Sequence, residues 1–173
     1  MMHLMRFLWI AALLLGGCGY HLVGHSDGKG VIPEDVSRLI LMSQGGEGEL
    51  QTLALRDGLQ TDHLAVMIQP GHGALADDGI QDARLLVQIS PVRFSASAFD
   101  ATGVASQYRM VYEGRLSLLH HGETIWQSGN LSEQGEVYVT TDPTSIEASR
   151  QQLLRNLRKQ WLRTALGRIR SGF

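Results

Sequence analysis

The chain has 173 residues, enough for one domain with a substantial core, and its 43% hydrophobic and 18% charged content is that of a folded protein rather than a disordered one. Its formal net charge of −2 hides a split: residues 18–147 carry 17 acidic and seven basic side chains, whereas residues 148–173 carry seven basic and no acidic ones. A single cysteine excludes an internal disulfide and a cysteine-rich metal site, and the charge split points to an interaction surface or to an acidic body matched by a basic C-terminal segment.

The N-terminus reads as an export signal. Arg6 precedes Phe7–Leu15, an uncharged apolar run of nine residues that ends in Gly16-Gly17-Cys18. A basic start, a short apolar core and small residues before a cut site describe a bacterial secretory signal, and the run is far shorter than the roughly 20 residues needed to span a bilayer. Two glycines present an unhindered backbone to a peptidase. Cleavage between Gly17 and Cys18 leaves the cysteine first, with a thiol that can carry diacylglycerol and an amine that can take a further acyl chain. The expected organisation is a removed signal peptide (1–17), a lipidated tether (18–30) and one domain (31–173). Cys18 is the lipid-attachment site, and beyond that covalent acyl modification no cofactor or metal is expected. Gly19, rather than aspartate, is what lipoproteins passed on to the outer membrane usually have. An exported, anchored chain does not meet nucleic acid.

Val36 to Met42 has apolar residues on both faces and predicts a strand inside a sheet. Glu49 to Gln60 predicts a helix, with Leu50, Leu53 and Ala54 on one side and Leu55 and Leu59 adjoining. Leu64 to Ile68 predicts a short strand stopped by Pro70-Gly71. The next loop holds Asp77, Asp78 and Asp82 without the spacing of a calcium loop. Leu85, Val87 and Ile89 then alternate with polar residues up to Pro91, and Ser95 to Gly103 reads as a small-residue connection. In the next strand Tyr108, Met110, Tyr112, Leu116 and Leu118 share one face, opposite Gln107, Arg109, Glu113, Arg115 and Ser117. So sharp a partition means one buried and one polar face.

His120-His121-Gly122-Glu123 predicts a solvated hairpin turn. Adjacent strand residues point to opposite faces, so the two histidines are not expected to share a metal. A strand region then runs from Thr124 to Val139, interrupted around Gly129 and Gly135, with Ile125, Leu131, Val137 and Val139 of one parity. Asp142-Pro143 or Thr144-x-x-Glu147 starts a helix that runs to about Ile169 with the stripe Leu153, Leu154, Leu157, Trp161, Ala165 and Ile169. No phosphate cradle, zinc-protease histidine pair or nucleophile elbow occurs, so the chain is not expected to be an enzyme. A hydrolase built on Ser95, Ser97 or His63 has no supporting pattern.

Cys18-Gly19-Tyr20-His21-Leu22 resembles the mature start of the LptE family of lipopolysaccharide-assembly lipoproteins. The element order is similar as well: strand, helix, a run of antiparallel strands with a Gly-x-x-x-x-Tyr segment (Gly103 to Tyr108, leading into Arg109-Met110-Val111-Tyr112), and a long C-terminal helix. The resemblance spans the mature chain. It implies an α+β fold with two helices packed on one face of a four- to five-stranded, mostly antiparallel sheet. It also implies residence at the periplasmic face of the outer membrane and a plug-type complex with the translocon barrel LptD, aiding barrel assembly and delivery of lipopolysaccharide to the cell surface. Family members can carry basic residues in loops at one end of the sheet, thought to touch lipopolysaccharide phosphates; this chain has Asp100 in the corresponding stretch. Arg93, Arg109 and Arg115 are the candidate contacts in their place. A freestanding lipoprotein that binds envelope lipid or another envelope protein is the alternative reading.

Overall fold

The long alternation in the middle of the sequence produces a 16-residue strand that pairs along both edges and organises everything else. The computed structural model describes residues 30–44, 48–69, 82–139 and 143–172. In chain order these form β1 (Arg38–Gln44), α1 (Gly48–Leu59), β2 (Ala65–Gln69), β3 (Asp82–Ile89), β4 (Arg93–Phe99), β5 (Ala105–His120), β6 (Glu123–Gln127), β7 (Leu131–Tyr138) and α2 (Pro143–Ser171). Gly17, Cys18, Gly19, Asp77, Asp78 and Asp142 lie outside the described residues. Among the described residues no helix is long and apolar enough to cross a membrane.

Seven strands make a sheet only five strands wide. β3 pairs with the C-terminal half of β5 and β4 with its N-terminal half, so the two form one long strand broken at Ser90-Pro91-Val92. On the other edge β6 and β7 do the same, broken at Ser128-Gly129-Asn130. Both breaks are stitched to β5: the Ser90 amide donates to the Glu113 carbonyl and the Ser128 amide to the Leu116 carbonyl, while the Leu116 amide donates to Ser128 Oγ at 2.9 Å. β1 lies between β2 and β3 and is parallel to both, and its apolar residues on both faces suit a strand inside the sheet.

Both helices cover one face. Their core includes Leu39, Leu41, Leu85, Val87, Met110, Tyr112, Leu116 and Leu118 from the sheet, with Leu157, Trp161, Ala165 and Ile169 from α2. Trp161 meets Tyr112 edge to face at 6.2 Å and donates its indole N–H to the Leu131 carbonyl, so the largest buried ring leaves no polar atom unsatisfied. At 29 residues α2 is about 43 Å long, enough to run beside most of β5, whose 16 residues span about 53 Å.

Three expectations change. Ser95 to Phe99 is not a connection but the body of β4, with Phe94, Ala96 and Ala98 turned inward. Small residues have weak strand propensity; here pairing to β5 and the stacking of Phe94 on Tyr108 at 4.9 Å supply what propensity lacks. In α1 the buried side is Gln51, Thr52, Leu55 and Leu59, while Leu50 and Leu53 are 56% and 45% exposed. The helix can turn polar residues inward because Gln51 donates to the Tyr112 hydroxyl at 3.0 Å and Thr52 to the Gly48 carbonyl at 2.6 Å. In β6 the register slips between Leu118 and Leu119, so Trp126 takes the inward position expected for Ile125; one extra residue inverts the parity of the rest of the strand.

The two ends of the molecule differ. The starts of β1, β2, β3 and β6 and the end of β5 lie at the end where α1 and α2 finish. There the Val31 amide donates to the Ile169 carbonyl at 2.8 Å, fastening the described N-terminus to the last turn of α2. The β4–β5 turn and the end of β7 form the opposite end.

Candidate functional site

The face of the sheet that the helices leave bare carries rows of polar side chains. Successive outward positions of neighbouring strands fall opposite one another, and β5 places polar residues at most of its own, Gln107, Arg109, Glu113, Arg115 and Ser117, with Val111 and Leu119 the apolar exceptions. Gln88 donates to Gln44, and Arg115 Nε donates to Gln88, a row across β1, β3 and β5. Arg93 pairs with Glu113 at 2.8 Å, and Ser132 donates to the same carboxylate at 3.2 Å. Arg109 pairs with Glu136 at 3.0 Å, and Gln107 donates to that carboxylate too. The three arginines named from the sequence thus share this face. Two are matched by cross-strand acids; Arg115 is held by an amide and keeps an uncompensated charge in that row.

Arg115 stands in a groove of about 790 Å³ along the same face, lined by Gln44, Gln88, Ser117, Gln127 and Asn130 among others. Its polar walls suit hydrogen-bonded occupants such as polar backbone or hydroxyl-rich groups. The sequence did not single out these amides because they come from three strands and the β6–β7 break; only the fold unites them.

At the far end, Phe99, Val104 and Tyr138 are each at least 60% exposed around the β4–β5 turn. Asp100 shapes that turn: its Oδ1 accepts from Thr102 Oγ1 at 2.7 Å, the Thr102 amide at 2.8 Å and the Val104 amide at 3.0 Å. These bonds, the Thr102 hydroxyl foremost, hold its carboxyl below the usual range. The charged residue at this place is thus the aspartate that closes the hairpin, not a basic one.

The tether end holds a second cluster. His120 is buried, not solvated, and its Nδ1 lies 3.0 Å from the Asp82 carbonyl while its Nε2 lies 3.3 Å from Asp35 Oδ2. His121 has φ 53°, which breaks the strand alternation and swings its ring to 3.9 Å from that of His120. Asp35, His120 and His121 each offer a ligand atom within 4.8 Å of the others. The expectation that neighbouring histidines diverge holds for regular strand and fails once one of them is left-handed. The Asp82 carboxylate is apart from this, engaged by Arg38 Nε at 2.7 Å.

The basic residues of α2 sit mainly on its solvent side: Arg155, Lys159, Arg163, Arg168 and Arg170 are exposed. Arg150 pairs with Glu147 on its own helix and lies 5.3 Å over the Phe94 ring, and Arg170 donates to the Gly58 carbonyl.

The family model described as LptE, lipopolysaccharide-assembly, matches residues 40–168, which takes in every strand and both helices apart from their outermost residues. The chain belongs to the LptE family. The family is one of lipopolysaccharide assembly. The fold is similar to that of rare lipoprotein B from Shewanella oneidensis, at 17% identity over 76% of this chain and 89% of that one, with a TM-score of 0.52. It is also similar to an uncharacterized lipoprotein B from Nitrosomonas europaea, at 13% identity over 80% of this chain and 88% of that one, with a TM-score of 0.53. No curated protein sequence matches the chain. As an LptE-family fold it has the two helices and mostly antiparallel sheet that the sequence implied.

Proposed function

We propose that this chain is an outer-membrane lipoprotein, acylated on Cys18, that sits as a plug in the LptD barrel, aids its assembly and helps pass lipopolysaccharide to the cell surface. The observation that carries the reading is the family match across the folded domain. The helix-free face supports it, because a barrel lumen is polar and a plug in it needs many modest hydrogen bonds over a wide area. Arg93, Arg109 and Arg115 lie on that face as contacts for the barrel wall or for lipopolysaccharide. The anchor adds confinement: each buried methylene contributes roughly 0.8 kcal/mol, and two or more chains hold where one binds marginally. Acylation of Cys18 therefore concentrates the domain in the leaflet where a barrel opens.

Affinity isolation of the acylated chain in mild detergent tests this. A single large barrel in stoichiometric yield is the expected result, and Cys18→Ser should reduce that yield. Recovery of the chain alone, or with only lipid or another envelope protein, would replace the plug with a freestanding lipoprotein.

A further inference from the structure

We propose that Asp35, His120 and His121 form a binding site for a zinc-class divalent cation, which clips the segment leading out of the tether to the β5–β6 hairpin. The argument starts from protons. The Asp82 carbonyl can only accept, so His120 Nδ1, 3.0 Å away, carries the hydrogen. In the neutral ring Nε2 is then a lone pair, and it faces a carboxylate oxygen of Asp35 at 3.3 Å. Two acceptors in that position repel each other unless a cation lies between them. A backbone carbonyl fixing Nδ1–H so that Nε2 points at a shared centre is the arrangement that orients an imidazole ligand.

A proton on His120 would satisfy Asp35 but make no use of His121, whose ring the two-residue hairpin turn brings to the same place. That residue is the only non-glycine with positive φ among the described residues, and the conformation holds its ring against His120. Protonating both rings would set like charges side by side, whereas one metal ion uses both lone pairs. The spacing fits. Tetrahedral zinc with nitrogen and oxygen ligands separates neighbouring donor atoms by roughly 3.4 Å, close to the 3.3 Å between His120 Nε2 and Asp35 Oδ2. The remaining gaps, all within 4.8 Å, close by movement of Asp35 and His121, which are exposed, while His120 stays fixed. Two imidazoles and one carboxylate suit zinc over calcium or magnesium, which prefer all-oxygen sites; water completes the shell.

The clip has a structural consequence independent of the barrel. Asp35 lies between Val31, bonded to the end of α2, and β1. A cation there joins the tether exit to the longest strand of the sheet. The test is equilibrium dialysis of the acylated chain in detergent against zinc chloride, repeated with cobalt chloride to read the ligand set from its visible spectrum. Stoichiometric micromolar binding with a mixed nitrogen and oxygen spectrum is expected. Asp35→Asn and His121→Ala, both at exposed positions that keep His120 and the fold, should each weaken zinc by at least the roughly tenfold that loss of an outer-shell partner costs. His63→Ala, at an exposed histidine elsewhere, should change nothing. Absence of binding at about 1 mM zinc, a level that corresponds to only about 4 kcal/mol, overturns the proposal in favour of a protonated His120–Asp35 pair. Unchanged affinity in both exposed-ligand variants overturns it too.

Discussion

Gly114 lies where three elements meet, paired to Ile89 on one edge of β5 and to Leu131 on the other. A Cβ there would stand 2.6 Å from Ile89 Cδ1, 2.7 Å from the Gln88 carbonyl and 2.9 Å from the Trp161 ring. The backbone carbonyl cannot step aside, and the indole is fixed by its bond to Leu131. Gly114→Ala should therefore destabilise the fold by about 1–3 kcal/mol through overpacking. The effect should appear as a lower denaturation midpoint with an unchanged slope; a midpoint equal to the parent's would mean that α2 does not press on the sheet here. This requirement was invisible in the sequence, where Gly114 breaks an otherwise clean apolar parity and reads as a gap. His121 was hidden for a related reason. Gly122 suits a left-handed turn position, but a two-residue hairpin needs positive φ at both central residues, and it is this that turns the His121 ring toward His120.

At the level of elements, legibility tracked the strength of the local pattern. β5 and α2 were readable because each carries a sustained period, two residues in one and about 3.6 in the other, and the buried residues fall where those periods put them despite the gap at Gly114. β4 was not, because Ser and Ala carry little strand signal and the segment exists through its partner. The side of α1 was misplaced because counting leucines cannot foresee that the Tyr112 hydroxyl would receive a buried glutamine. In β6 the slip in register decides which of two neighbours is core, and it makes a sharp contrast. Trp126→Ala should cost about 2–4 kcal/mol, since its ring packs on the core, whereas Ile125→Ala at a position 45% exposed should cost less than about 1 kcal/mol. Thermal or denaturant unfolding of the two variants checks the order. The reverse order would restore the parity read from the sequence and remove the bulge.

For the whole molecule the division of labour between faces is the decisive feature. One face is spent on the helices and the core; the other shows matched charge rows and a polar groove, and the excess cations of α2 point away from both. The acidic body is thus not neutralised chiefly by the basic helix, and of the two meanings the charge split allowed, an outward surface is the one the fold favours. A plug that meets the barrel wall through the bare face should be sensitive to the pattern of charge there, not merely to its presence. Exchanging the partners, Arg109→Glu with Glu136→Arg, keeps an ion pair between the same strands, where exposed pairs are worth roughly 0–1 kcal/mol in any case, and reverses the field that a partner sees. If the bare face is the interface, co-isolation of the barrel should fall by about tenfold, the equivalent of roughly 1.4 kcal/mol, while the thermal midpoint of the purified chain stays put. Lys159→Glu on the outer side of α2 serves as the comparison. Loss of the barrel with the helix variant and full recovery with the exchanged pair would assign the interface to the helical side, and the polar rows of the sheet would then be ordinary solvated strand surface.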